Sequence, residues 1–270
     1  MENQQEALLG TAITISEEAG KAVMDIYSNG DFETTYKKED SPLTLADMAS
    51  HNIIVQQLKK KTPDIPVLSE ESENIPYDVR KSWTTFWLVD PLDGTKEFIN
   101  RNGEFTVNVA LIDSGKTVLG VVHAPVLRTT YYASTGKGAF KKNYVDDGKP
   151  SQIHVSDYHN GRLIIVTTRS HSNNKLENFK RNVGDAEFTS MGSSLKLCLV
   201  AEGKAHLYPR LGPTMEWDTA AAQCIVESAG GTVTDLCKQT LNYNKPNLLN
   251  PFFMVSGKPP FPWWDYIDNI

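Results

Sequence analysis

Leu8, Thr11, Ala12, Ile15, Ala19, Ala22, Val23 and Ile26 recur at spacings of three and four, with Glu17, Glu18 and Lys21 between them. This is the pattern of an amphipathic helix, and Asn29-Gly30 ends it. A polar, proline-broken stretch follows from Lys37 to Thr44. Thr44 with Asp47 three residues on predicts a capping box opening a second helix through Leu58, which Thr62-Pro63 stops. Val67 and Leu68 then run abruptly into acid at Ser69-Glu70-Glu71-Ser72.

Phe86-Trp87-Leu88-Val89 is a continuous apolar run, as in a buried strand that delivers Asp90 at its C-terminal end. Alternation in Phe105, Val107, Val109 and Leu111, then Val118 to Val122 and Tyr131 to Ala133, predicts an antiparallel meander with turns at Ser114-Gly115 and Ala124-Pro125. From Lys141 to Gly161 the apolar signal fades, and Asp146-Asp147-Gly148-Lys149-Pro150 is turn chemistry. A boundary placed there gives an N-terminal α+β half, 1–150, and a C-terminal α/β half, 151–270. The second half reads as a strand from Leu163 to Val166, helices near Leu176–Asn182, Ser193–Glu202 and Trp217–Ala229, and a strand at Thr232-Val233-Thr234. Gly230-Gly231 closes the last of these helices.

The chain has 270 residues, 40% of them hydrophobic, and a formal net charge of −6. That is the composition of a soluble globular protein, and its acidic balance argues against nucleic acid as a partner. No stretch approaches the roughly 20 apolar residues that a transmembrane segment needs. Met1 to Leu9 lacks a basic region followed by an apolar one, which predicts a cytoplasmic protein, with peripheral membrane attachment and the choice between monomer and homodimer left open. Cys198, Cys224 and Cys237 lack C-x-x-C spacing and read as reduced packing residues. His51, His123, His154, His159, His171 and His206 are scattered, with no H-x-x-x-H pair to suggest zinc.

Candidate chemistry concentrates in Asp90-Pro91-Leu92-Asp93-Gly94-Thr95-Lys96-Glu97-Phe98. Two carboxylates on a proline-started, glycine-ended turn, held close and partly dehydrated, repel each other and need compensating positive charge. Divalent cations with oxygen ligands supply it. A plain type I turn is the competing reading of Asp90 and Asp93. Taken alone, Asp218 reads equally as a helix N-cap, and Glu70 as an exposed loop acid. There is no G-x-x-x-x-G-K-[ST] loop, which excludes a P-loop enzyme. The D-x-x-D spacing differs from the D-x-D of haloacid-dehalogenase phosphatases, so it points to metal ligation without a covalent aspartyl phosphate.

Three separated motifs carry a resemblance: Asp40-Ser41-Pro42-Leu43-Thr44-Leu45-Ala46-Asp47, the Asp90–Phe98 segment, and Trp217-Asp218-Thr219-Ala220-Ala221-Ala222 followed by Glu227-Ser228-Ala229-Gly230-Gly231. Together they resemble the lithium-sensitive, magnesium-dependent inositol monophosphatase superfamily, with Glu39 standing where an Asp is common. The chain is most like its 3'(2'),5'-bisphosphate nucleotidase branch of sulfate assimilation, through Lys96-Glu97-Phe98, Gly192-Ser193-Ser194-Leu195-Lys196, Tyr208-Pro209-Arg210 and Gly212-Pro213-Thr214-Met215-Glu216. In the inositol branch an acid typically lies near the position of Arg210.

The resemblance implies an α/β fold, the layered αβαβα sandwich of the inositol monophosphatase and fructose-1,6-bisphosphatase type. It implies two or three Mg2+ ions held by Glu70, Asp90, Asp93, Asp218 and the Leu92 carbonyl. Asp47, Thr95 and Glu70 would prepare the attacking water. Substrate contacts would come from Glu70, Leu92, Asp93, Gly94, Thr95, Ser194, Lys196, Arg210 and Asp218, although Lys196 and Arg210 also read as ordinary surface cations. The expected partner is a small bisphosphonucleotide: adenosine 3',5'-bisphosphate cleaved to AMP and phosphate, with PAPS as a second substrate. An inositol or sugar monophosphatase on the same scaffold is the first alternative. A catalytically silent sensing module is the second, and it would be expected to lose some of these acids.

Overall fold

A computed structural model of the chain describes residues 2–30, 34–36, 42–72, 75–157, 162–169 and 173–267. Glu39, Asp40, Ser41, His159 and His171 lie outside them. The first half comprises α1 (Glu2–Asn29), the short strands β1 (Thr34–Tyr36) and β2 (Pro42–Thr44), α2 (Leu45–Lys61), β3 (Val67–Ser69), α3 (Tyr77–Arg80), β4 (Thr85–Asp93) and α4 (Thr95–Ile99). The meander follows as β5 (Thr106–Asp113), β6 (Lys116–Ala124), β7 (Thr129–Ser134), β8 (Gly138–Asn143) and β9 (Pro150–Ile153). Then come β10 (Ile164–Thr168), α5 (Asn174–Val183), β11 (Glu187–Met191), α6 (Leu195–Ala201), β12 (Leu207–Arg210), α7 (Glu216–Ser228), β13 (Thr232–Asp235) and β14 (Phe253–Ser256).

Strands β3 to β9 form one seven-stranded sheet in sequence order, and β11-β10-β12-β14-β13 form a five-stranded one. Side-chain alternation sorts the strands of the larger sheet between two helical layers. Trp87, Val89, Val107, Val109 and Leu111 face α1 and α2 through Ala12, Ile15, Ile54 and Leu58. Phe86, Leu88, Ala110 and Ile112 face the opposite way, onto α6 and α7. Burial on both faces is why the Phe86–Val89 run lacks polar alternation. Phe179 of α5 packs on the outer face of the smaller sheet against Ile165, Leu207 and Met254. The order is therefore helix, sheet, helix, sheet, helix, the αβαβα layering that the resemblance implies.

Local chemistry fixes how these layers meet. Thr44 caps α2 with the reciprocal bonds of a capping box, its backbone N–H donating to Asp47 Oδ2 at 2.8 Å. At the other end of α2, the Trp87 indole N–H donates to Thr62 Oγ1 at 3.0 Å, tying the helix to the centre of β4. Trp87 is fully buried, which contributes about 2–3 kcal/mol for a side chain of this kind. Gly120 of β6 lies so close to α7 that an added Cβ would come within 2.2 Å of the Ala221 carbonyl oxygen.

Strands β1, β2, β8, β9, β11, β12 and β14, with the short helices α3 and α4, fall outside the sequence expectation. β9 is the edge strand of the larger sheet and β8 the strand next to it, both with mostly half-buried or exposed side chains, so neither needs strong apolar alternation. Asp90 and Asp93 do not sit on a turn after the strand. Both belong to β4, whose register against β5 shifts between them, so a bulge replaces the expected turn. Cys198 and Cys224 are buried as expected, but Cys237 is exposed.

Candidate active site

Strands β3 and β4 run parallel, and the Glu70 N–H donates to the Val89 carbonyl at 3.1 Å. Phe86, Leu88 and Asp90 share the face of β4 turned toward α7, so the apolar run ends by presenting a carboxylate to that helix. Asp218 is the third residue of α7, and its Oδ2 accepts the Met215 N–H at 2.9 Å. The N-cap position belongs to Met215, which corrects the reading of Asp218 as the cap itself.

These elements converge. Glu70, Asp90 and Asp218 each offer a carboxylate oxygen, and the three lie within 4.8 Å of one another. Burial pushes Asp90 well above the usual carboxylate range, and Glu70, Asp93, Asp218 and Asp47 around it push the same way. Burial, with Asp93 and Glu70, raises Asp218 likewise. Such a set is satisfied by hard divalent cations with oxygen ligands. Half-buried Glu70 is thus no free loop acid, and the donor set fits a metal.

Asp93 approaches the same place differently. Its Oδ2 accepts from the Ser193 hydroxyl at 2.6 Å, the Ser194 N–H at 2.6 Å and the Asn108 side-chain amide at 3.4 Å. Asn108 Oδ1 in turn accepts the Thr106 hydroxyl at 3.0 Å and the Ser194 hydroxyl at 2.9 Å. Leu92 is buried by its side chain against Val23, Ala46, Phe98 and Phe105. It does not line the cavity described below, which leaves its carbonyl, 3.4 Å from Thr95 Oγ1, as what it can offer. On the other side of the acids, the Thr95 hydroxyl donates to Asp47 Oδ1 at 3.2 Å.

A cavity of about 240 Å³ opens over this cluster. Glu70, Asp93, Gly94, Thr95 and Asp218 line it together with Ser194, Lys196 and Arg210. Lys196 is buried, not a surface cation: its Nζ donates to the Ser193 carbonyl and stands 5.5 Å from the centre of the Tyr208 ring. Burial lowers its pKa to about 8, with nearby Asp93 opposing and Arg210 assisting the shift. Arg210 is partly buried. One of its guanidinium nitrogens donates to the Pro213 carbonyl at 2.6 Å, while its buried Nε has no hydrogen-bond partner.

The chain matches the inositol monophosphatase family across residues 4–254. It belongs to that family. It is 49% identical to the 3'(2'),5'-bisphosphate nucleotidase CysQ of Salmonella typhimurium, over 92% of this chain and 99% of the relative. It is 47% identical to CysQ of Escherichia coli K12 over the same shares. Among solved structures, CysQ of Bacteroides thetaiotaomicron superposes with a TM-score of 0.82 at 42% identity, covering 93% of this chain and 97% of that one. The Thermotoga maritima IMPase gives 0.77 at 27% identity, covering 93% and 92%.

Sequence reasoning assigned no role to Ser193, Thr106 or Asn108 in this family member. In the sequence Thr106 and Asn108 alternate with Val107 and Val109, as on the solvated face of a strand; the structure shows both buried, which is what demands partners within the protein.

Proposed function

We propose that the protein is a magnesium-dependent 3'(2'),5'-bisphosphate nucleotidase, hydrolysing the 3'-phosphate of adenosine 3',5'-bisphosphate to AMP and phosphate. One observation carries this reading: a single cavity joins carboxylates that require cations to Lys196 and Arg210, two cations that require an anion. A substrate with two separated phosphates answers both demands. The full-length similarity to curated nucleotidases supports the same branch.

Glu70, Asp90, Asp218, the Asp93 oxygen left by the serines and the Leu92 carbonyl would hold two or three Mg2+ ions. When bound, these supply charge to the phosphoryl group and lower the pKa of water. Asp47 keeps its carboxylate fixed by accepting the Thr44 N–H and hydroxyl on Oδ2, at 2.8 and 2.6 Å. Its Oδ1 accepts the Thr95 hydroxyl hydrogen bond, so the Thr95 oxygen is left with lone pairs for a neighbouring water. Thr95 thereby accepts a proton from the water and passes its own to Asp47. No protein nucleophile is needed, because phosphoryl transfer depends mainly on alignment and charge. Arg210 and Lys196 grip the second phosphate.

Phosphate release from adenosine 3',5'-bisphosphate, PAPS, inositol 1-phosphate and fructose 1,6-bisphosphate, compared side by side with and without chelator, tests this. The bisphosphonucleotide should be preferred and chelator should stop turnover. Preference for inositol 1-phosphate would overturn the branch assignment, and full activity in chelator would overturn the metal reading.

A further inference from the structure

Glu104 lies on the loop between α4 and β5, outside the acid cluster, yet its carboxylate is fully engaged. Oε2 accepts the Gly192 N–H at 2.7 Å and Arg169 Nε at 2.8 Å, and Oε1 accepts Arg169 Nη2 at 2.7 Å. Arg169 Nη2 also donates to the Ser190 carbonyl at 3.1 Å. One guanidinium therefore ties the ends of β10 and β11 to a loop of the larger sheet. A two-pronged Arg–carboxylate pair fixes orientation as well as distance.

The pair holds the turn Gly192-Ser193-Ser194. A Cβ at Gly192 would come within 2.7 Å of both the Glu104 carbonyl oxygen and Glu97 Cγ, so the turn is pressed onto the loop. Ser193 has a φ of 54°, a left-handed conformation that persists in a non-glycine residue when its surroundings impose it. The Ser193 hydroxyl and the Ser194 N–H both end on Asp93 Oδ2. Contacts thus run without a break from Arg169 through Glu104 and the serine turn to Asp93.

We infer that the Glu104–Arg169 pair is a positioning clasp that sets cation affinity, by fixing which Asp93 oxygen the serines occupy and which is left to the cavity. This rests on the reading of Asp93 as a metal ligand. The Arg169 side chain is substantially exposed, so its two-pronged pair with the mostly buried Glu104 adds only modestly to stability. Groups that orient metal ligands, in contrast, typically change metal affinity by about 10–100-fold when removed.

Mn2+ titration followed by electron paramagnetic resonance without substrate, alongside melting in chelator, separates these roles. Arg169→Ala and Glu104→Gln should weaken Mn2+ binding by about tenfold or more. Their melting temperatures should stay near that of the wild type, and Arg169→Lys should recover part of the affinity. Unchanged Mn2+ affinity in both variants, with normal binding by the wild type, overturns the clasp alone. So does a loss of affinity that merely tracks a lower melting temperature. A wild type that binds no Mn2+ overturns the ligand reading, and the clasp with it.

Discussion

The Thr95 hydroxyl donates to Asp47 Oδ1 across 3.2 Å, joining the first turn of α4 to the first turn of α2. Asp47 is buried, with its other oxygen held by Thr44, so the pair is rigid before substrate arrives. Thr95→Ala keeps the fold and removes the proton carrier. It should lower kcat by roughly 10²-fold or more, the usual scale for a positioned proton-transfer group. KM should hardly move, because the interaction belongs to the transition state. Steady-state kinetics at saturating Mg2+ decide the matter, and a change confined to KM would make Thr95 a binding residue instead.

Asp90 is almost completely buried among like charges, and those charges together with burial disfavour its ionised form. Asp90→Asn should therefore leave the melting temperature in chelator equal to or above that of the wild type. Ligand binding to the native state raises apparent stability, so Mg2+ should raise the wild-type melting temperature. The variant should lose that rise along with turnover. A Mg2+-induced rise of wild-type size in Asp90→Asn removes Asp90 from the ligand set.

What the sequence made legible was whatever depends on short-range pattern. The capping pair Thr44 and Asp47 sits three positions apart, and the Phe86–Val89 run announces a strand buried on both faces. Long-range polar pairing leaves no such trace. Glu104 and Arg169 lie 65 positions apart, and each alone reads as a surface charge. Lys196 is an intermediate case. The apolar Leu195, Leu197 and Cys198 around it are visible in the sequence, but that they and Lys196 are buried together is shown only by the structure. The bulge between Asp90 and Asp93 was hidden because Pro-Leu-Asp-Gly serves equally well as a turn, and pairing with β5 decided between them.

Gly120 marks where α7 rests on the larger sheet. An alanine there would drive its Cβ to 2.2 Å from the Ala221 oxygen and 2.8 Å from its Cα, and backbone atoms cannot rotate away. Gly120→Ala should cost about 1–3 kcal/mol or more through overpacking. Because the displaced helix carries Asp218, the Mg2+-induced rise in melting temperature should shrink as well. Gly10→Ala is the control: nothing lies within 4 Å of its added Cβ, and in the middle of α1 it should stabilise by about 0.5–1 kcal/mol. Equal melting temperatures for both variants would contradict the packing argument.

Burial lowers the Lys196 pKa to about 8, so the ammonium is charged below that pH and neutral above it. Loss of a cation weakens the hold on a second phosphate. The ratio of kcat/KM for adenosine 3',5'-bisphosphate to that for adenosine 3'-phosphate should therefore fall as pH rises through about 8. Taking the ratio cancels titrations of the shared water and metal chemistry. Lys196→Met should start from a lower ratio and show no such fall. If the wild-type ratio is flat from pH 7 to about 9, Lys196 does not contact the second phosphate.

Arg210 should act on the same ratio at constant pH. Its place on the cavity wall offers guanidinium N–H donors that a phosphate can take up in a bidentate manner. Arg210→Ala should raise KM for adenosine 3',5'-bisphosphate by about 10-fold or more, as expected for losing a charge-assisted hydrogen bond of about 1.5–3 kcal/mol. Adenosine 3'-phosphate has no 5'-phosphate to lose, so its kinetics should be nearly unchanged. Arg210→Lys keeps the charge without the planar fork and should fall between the two. An equal loss on both substrates would show that Arg210 supports the metal site or the Pro213 turn, and the preference for a bisphosphorylated nucleotide would then need another source in the cavity.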